Sequence, residues 1–153
     1  ATVSAPVNVR EVADEIHDAL LPDMQEKHIR MDISGGDFSV PIPYTHLHNL
    51  LSNLMQNAVK YNVEGGNVTV TVRDTGKVAV LTVADTGIGI PKEAQSRVFE
   101  RFYRVDKSRS KATGGTGLGL AIVKHIALLH DAKIDLQSQV GTGTTIRVTF
   151  PKG

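Results

Sequence analysis

Asn53, Asn57 and Lys60 stand at positions i, i+4 and i+7 of one amphipathic stretch, with Tyr61 directly after them. At about 100° per residue such positions form a row along one edge of a helix. Two carboxamides followed by a cation suit a partly hydrated divalent metal ion and phosphate oxygens. Taken by itself, the row fits equally well the solvent side of an amphipathic helix. Asp85-Thr86-Gly87-Ile88-Gly89-Ile90 follows an apolar strand pattern. Its two glycines let the backbone turn sharply and approach a planar ligand, and the acidic side chain can accept from an exocyclic amine; a turn with Asp85 as a local cap is the plainer alternative. Gly115-Thr116-Gly117-Leu118-Gly119-Leu120 opens directly into a helical pattern, where free N–H groups and the positive dipole end can hold phosphate. It is not a dinucleotide fingerprint, which needs a βαβ unit and an acidic residue about 20 positions on, and no Gly-Lys-Ser/Thr of a Walker loop occurs.

The elements that must position these groups follow from periodicity. Val9 to Lys27 has helical apolar spacing and either ends near Leu21-Pro22 or continues past a kink. Ile29 to Ile33 alternates as a half-buried strand and stops at Gly35-Gly36. A second helix runs from Tyr44 to Tyr61, with Leu47, Leu50, Leu51, Leu54, Met55 and Ala58 on its inner arc. Val68, Val70 and Val72, then Val78 and Val80, form a hairpin around Asp74-Thr75-Gly76. Pro91 to Gly117 reads as a long functional loop with one helical turn around Glu93 to Phe99. Leu118 to His130 is a third helix, and Ile134 to Gln137 with Thr144 to Phe150 a second hairpin around Gly141-Thr142-Gly143. Helices on one face of a mixed sheet, in two-layer α/β form, is the economical assembly for residues 1–153 as one domain.

Composition excludes several classes. In 153 residues, 41% hydrophobic and 22% charged with a net charge of +1, nothing indicates a nucleic-acid partner or disorder. No run reaches the roughly 18 apolar residues of a membrane span, and no signal peptide is evident, so the chain is expected to be soluble. The lack of cysteine excludes disulfides and thiolate chemistry and fits a cytoplasmic setting. His125 and His130 are five apart, not at metal-ligand spacing, and His46 and His48 lie on opposite sides of their helix; all four read as core or surface residues.

In order along the chain, Asn53-Leu54-Met55-Gln56-Asn57-Ala58-Val59-Lys60-Tyr61, Asp85-Thr86-Gly87-Ile88-Gly89-Ile90-Pro91, Phe99-Glu100-Arg101-Phe102-Tyr103-Arg104 and Gly115-Thr116-Gly117-Leu118-Gly119-Leu120 resemble the N, G1, F and G2 boxes of sensor histidine kinases. The likeness continues through Gly141-Thr142-Gly143-Thr144-Thr145 and covers nearly the whole chain. It implies the Bergerat fold shared with gyrase, Hsp90 and MutL: a two-layer α/β sandwich, its mixed, mostly antiparallel sheet covered on one face by helices, with a long mobile ATP lid from Pro91 to Gly115. It also implies ATP and magnesium as ligands. Asn57 matches the magnesium ligand, and Asn53, Lys60 and Tyr61 match positions that line the phosphates and nucleoside. Asp85 matches the residue that recognises the adenine amine, with Gly87, Gly89 and Ile90 shaping that wall. Arg104 matches a lid arginine that reaches the γ-phosphate; with Lys60 it is the expected catalytic cation. Gly115, Thr116, Gly117, Leu118, Gly119, Leu120 and Thr144 complete the nucleotide site. Across the lid, Arg97, Arg101, Arg104, Lys107, Arg109 and Lys111 outnumber Glu100 and Asp106, as a triphosphate requires.

Relatives that hydrolyse ATP place a glutamate where this chain has Asn53, and a carboxamide is no general base. The resemblance therefore implies transfer of the γ-phosphoryl group to a histidine outside the chain, since none of its six histidines lies in a Ser-His-Glu-Leu-Arg-Thr-Pro context. The expected partners are a phosphoacceptor hairpin domain of the parent kinase and a response regulator; this part is expected to be monomeric, and the parent dimeric and membrane-anchored. The alternative is another Bergerat protein, an ATPase module or an anti-sigma-type serine kinase. Pro43 where an acidic residue often starts the helix, Gln56 before Asn57, and Asp131-Ala132 in place of Gly-Gly depart from the family pattern.

Overall fold

A computed structural model describes residues 6–100 and 119–151. In chain order its elements are β1 Val7–Asn8, α1 Val9–Glu26, β2 Arg30–Gly35, β3 Ser39–Val40, α2 Tyr44–Lys60, β4 Asn67–Asp74 and β5 Val78–Asp85, then a 3-10 turn Lys92–Ala94, α3 Gly119–Leu129, β6 Lys133–Gln139 and β7 Gly143–Pro151. The expected elements are all present. The pair β1 and β3, two residues each, was not foreseen, because two residues carry no readable alternation; Val7 pairs with Val40 and Asn8 with Ser39, antiparallel.

The main sheet has the order β2-β4-β5-β7-β6, parallel between β2 and β4 and antiparallel elsewhere. Parallel neighbours need a crossover, and α2 supplies it between β2 and β4. Period-2 alternation then gives each strand one apolar side: Val68, Val70 and Val72 of β4, Ala79, Leu81 and Val83 of β5, and Ile146, Val148 and Phe150 of β7 are all buried under the helices. The opposite side is threonine-rich, with Thr69 and Arg147 exposed and Thr71, Thr82, Thr145 and Thr149 half-buried. Onto the apolar side α2 lays Leu47, Leu50, Leu51, Leu54, Met55, Ala58 and Val59, all buried, between α1 and α3. This is the two-layer mixed sheet expected from the sequence. Among the described residues, no helix is long and apolar enough to cross a membrane.

Helix α1 starts with the Asn8 side chain accepting the Glu11 N–H at 2.9 Å, and it continues through Pro22 to Glu26. A proline inside a helix costs about 3 kcal/mol. Burial of Met24 beyond it and a closing motif offset the cost: the Ile29 N–H donates to the Met24 carbonyl at 2.8 Å and the His28 N–H to the Gln25 carbonyl at 3.2 Å. Helix α3 ends in the same way, with Ala132 N–H on the Ala127 carbonyl at 2.8 Å. This puts Asp131 in the left-handed region, at φ 55°, which explains why glycine is common there and why aspartate, a tolerant residue in that region, can replace it.

The first turn of α2 meets the end of α3 through His46 and His130, whose Nδ1 and Nε2 lie 2.9 Å apart, while the His130 ring stands edge-on to Phe150. Burial pushes the His130 imidazole below its ordinary range, nearby His46 adds to the effect, and Asp131 opposes it. A folded-state value below the unfolded one means that the unfolded chain takes the proton first. The stabilising contribution is therefore present above the ordinary histidine value of about 6.5 and is lost as pH falls through the folded-state value. Urea midpoints should drop between pH 7.5 and pH 5.5, and His130→Gln should flatten that drop; equal slopes in the two proteins would refute the assignment.

Candidate functional site

The end of α2 and the start of α3 come together on the helix-covered side of the sheet. A Cβ built on Gly119 would lie 3.1 Å from Asn53 Oδ1 and 3.6 Å from Asn57 Nδ2, so the two carboxamides pack directly against the opening turn of α3. Asn53 is held by donating its Nδ2 to the Asn49 carbonyl at 2.6 Å, which leaves its oxygen towards α3. Among the described residues the Asn57 side chain makes no hydrogen bond, so both its polar atoms remain available. Lys60 and Tyr61 are half-buried at the end of the row. The structure thus unites Asn53, Asn57 and Gly119 at a helix N-terminal turn, where orphan N–H groups and a carboxamide oxygen suit a phosphate with its metal ion.

The second wall is the turn after β5. Asp85 Oδ1 accepts the Gly87 N–H at 2.8 Å and the Thr144 N–H at 3.2 Å. The Tyr61 carbonyl accepts the Ile88 N–H at 3.1 Å, and the Ile88 carbonyl accepts the Gly141 N–H at 2.9 Å. This turn is therefore strapped between the end of α2 and the β6–β7 hairpin. The straps give Gly87 and Gly89 a reason the sequence did not show. A Cβ on Gly87 would fall 2.4 Å from the Tyr61 carbonyl oxygen, and one on Gly89, at φ 76°, 2.2 Å from the Gln139 carbonyl oxygen. Both glycines are required by backbone against backbone before any ligand is considered.

Burial raises the Asp85 carboxyl above its ordinary range, and the N–H groups of Gly87 and Thr144 pull it back. A half-buried carboxylate with both described bonds on Oδ1 keeps Oδ2 for a donor from a ligand.

Four supporting residues escaped the sequence reading. Asn62, 6% exposed, donates Nδ2 to the Asn67 carbonyl at 3.1 Å and accepts the Val63 N–H at 2.8 Å. Thr86 Oγ1 accepts the Asn67 N–H at 2.8 Å. Gln95 Nε2 donates to the carbonyls of Ile90, at 2.9 Å, and Ser138, at 3.0 Å, pinning the chain just after the glycine turn to the sheet edge. Ser138 Oγ accepts the Ile90 N–H at 2.7 Å and lies 2.7 Å from Thr144 Oγ1. Thr86 stands inside the first glycine motif without a role read for it, and Asn62, Gln95 and Ser138 lie in no site motif, since each partner is remote along the chain or is backbone. Leu120 packs partly buried against the core. Arg97, the one expected lid cation within the description, is ion-paired with Glu100 at 3.2 Å. Arg104 and the stretch Gly115, Thr116, Gly117 and Leu118 lie outside the described residues, as do Arg101, Lys107, Arg109 and Lys111.

Comparison with known proteins converges on one group. Residues 43–153 match the family described as histidine kinase-, DNA gyrase B-, and HSP90-like ATPase. The sensor-like histidine kinase SenX3 of Mycolicibacterium smegmatis is 53% identical over 102 residues, covering 67% of this chain and 27% of that protein. The chain thus spans about a quarter of the length of the curated relatives it matches. Among solved structures, the mycobacterial sensor histidine kinase MprB superposes with a TM-score of 0.81 at 29% identity, covering 97% of each chain. Full-length ShkA in complex with AMPPNP superposes with a TM-score of 0.79 at 28% identity, covering 100% of this chain and 32% of that one.

The raised carboxyl has a testable cost. A group whose folded-state value lies above its unfolded one stabilises the fold below the unfolded value, and that contribution is lost as pH rises through the folded value. At pH 7 charged Asp85 is therefore a burden on folding. Asp85→Asn keeps an oxygen for the Gly87 and Thr144 N–H groups and removes the charge. Urea denaturation should show it more stable than the parent at pH 7, with the gap closing towards pH 4; a less stable variant at pH 7 would show that the charge itself holds the turn.

Proposed function

This chain belongs to the family of histidine kinase-, DNA gyrase B- and HSP90-like ATPases, and on that premise we propose that it is the catalytic domain of a sensor histidine kinase, binding magnesium–ATP and donating the γ-phosphoryl group to a histidine on a separate domain. The observation that carries this reading is the meeting of the Asn53 and Asn57 carboxamides with the opening turn of α3, on the same side of the sheet as Asp85. A nucleotide laid across that side reaches both. Asp85 Oδ2 accepts from the exocyclic amine of the base, and the α3 turn receives the phosphates.

The residues present fit a magnesium ion. The Asn57 oxygen is a hard neutral ligand free to turn to it, and Asn53 Oδ1 stands beside it at the α3 turn. Magnesium bound there supplies charge neutralisation of the phosphate oxygens during in-line transfer. The chain's own groups do the rest. Lys60 and Arg104 bring positive charge to the transferred group, and the α3 turn fixes its orientation. Asn53 is anchored by the Asn49 carbonyl and has no basic lone pair to take a proton from water. Hydrolysis is thereby disfavoured against donation to an acceptor that brings its own nucleophile. That acceptor is a histidine-bearing hairpin domain of the parent kinase, from which a response regulator then takes the phosphoryl group. The parent is dimeric and membrane-anchored, with this domain on the cytoplasmic side and monomeric on its own.

Calorimetry tests the site. Asn57→Ala and Asp85→Ala should each lower magnesium–ATP affinity by about tenfold or more, the loss expected when a bond to a charged or buried partner goes; unchanged affinity in both would sink the assignment. With γ-labelled ATP and an added histidine hairpin domain, acid-labile label should accumulate on the hairpin. Acid-stable label on this chain would instead indicate serine or threonine chemistry.

A further inference from the structure

The apolar stripes of three adjacent strands turn polar at one and the same row. On β5 the buried series Ala79, Leu81, Val83 gives way to Asp85; on β7 Phe150, Val148, Ile146 gives way to Thr144; on β6 Ile134, Leu136 gives way to Ser138. The register pairs Asp85 with Thr144 and Thr144 with Ser138, so the three side chains stand side by side on the helix-covered side. All three are half-buried.

The hydrogen bonds in this row can be counted proton by proton. Ser138 Oγ has three partners: the Ile90 N–H at 2.7 Å, the Gly143 carbonyl at 3.0 Å and Thr144 Oγ1 at 2.7 Å. A hydroxyl offers one proton and two lone pairs. The Ile90 N–H can only donate and the Gly143 carbonyl can only accept. One arrangement satisfies all three contacts: Ser138 donates to Gly143 and accepts from both Ile90 and Thr144. The Thr144 proton is then committed to Ser138, and its oxygen can only accept from anything else.

We propose that Ser138 is a positioning residue that fixes the Thr144 proton and so makes the base end of the site select purines carrying a 6-amino group over those carrying a 6-oxo group. The proposal rests on the nucleotide-binding reading above. The register sets Asp85 beside Thr144 on the side where the base is placed, so Asp85 Oδ2 and Thr144 Oγ1 can both act as acceptors towards it; an amine satisfies them, whereas a carbonyl oxygen meets only lone pairs and leaves half-buried acceptors unpaired. Without Ser138, Thr144 can rotate its proton towards the ligand and greet either group.

The test compares magnesium–ADP with magnesium–IDP, which differ at purine position 6 and in the proton on N1, by calorimetry on the whole chain. The parent should prefer ADP. Ser138→Ala should shrink the ADP-to-IDP affinity ratio by about tenfold, the effect of one hydrogen bond gained or lost, chiefly through tighter IDP binding, and Ser138→Thr should restore it. A ratio unchanged in Ser138→Ala, or equal weakening of both nucleotides, would overturn the proposal, because a merely structural role loosens the site for both alike. If circular dichroism shows that Ser138→Ala does not fold, Ser138→Cys, whose sulfur is a poor acceptor, carries the same expectation. A parent that binds neither nucleotide would overturn the nucleotide-binding reading itself, whereas a parent that binds ADP with an insensitive ratio would remove only the role of Ser138.

Discussion

The burial of α2 governs the rest of the structure, because along its 17 residues this helix packs on the sheet and between α1 and α3 at once. Its leucines, Met55, Ala58 and Val59 fill the core under β4 and β5, and that packing fixes the rotation of the helix about its axis. Once the rotation is fixed, Asn53 and Asn57 fall on the edge that meets α3, with Lys60 further along the row. A turn of about 20° would bury a carboxamide without a partner or expose a leucine, and each outcome costs on the order of 1–3 kcal/mol. Site geometry and core packing are therefore one constraint. Lys27 reinforces it from outside, placing its ammonium on the carbonyls of Val59 and Lys60 at the negative end of the helix.

Around that helix the chain accepts local costs where the site lies and recovers them elsewhere. Asp85 is a carboxylate in a partly desolvated place, held by two backbone N–H groups. Asn57 is left without an internal partner among the described residues. By contrast, Asn62, the buried polar residue next to the site, uses both its oxygen and its nitrogen on neighbouring chain and so shapes the turn. The contrast separates groups with unused hydrogen-bonding capacity from groups that serve the fold, and it does so by hydrogen-bond accounting alone.

Much of this was legible in the sequence. The helix carrying Asn53 and Asn57 announces itself by its leucine spacing, the hairpins by valine and threonine alternation, and the glycine turns by their position at strand and helix ends. What stayed hidden depends on distance along the chain. Ser138 meets Ile90 across 48 residues and His46 meets His130 across 84, separations at which local periodicity says nothing. Gly87 and Gly89 were found for a reason that is only part of the truth, since the backbone carbonyls of Tyr61 and Gln139 exclude a side chain there whether or not a ligand is bound. The β1–β3 pair was too short to read, and Pro22 left the end of α1 open because the burial of Met24, not local propensity, decides it.

Ile88 is bonded through its N–H to the end of α2 and through its carbonyl to the β6–β7 hairpin, so the glycine turn cannot loosen by itself. It opens only together with two elements that also hold the core. A substitution in this turn is therefore felt at the end of α2 and at the β6–β7 hairpin together.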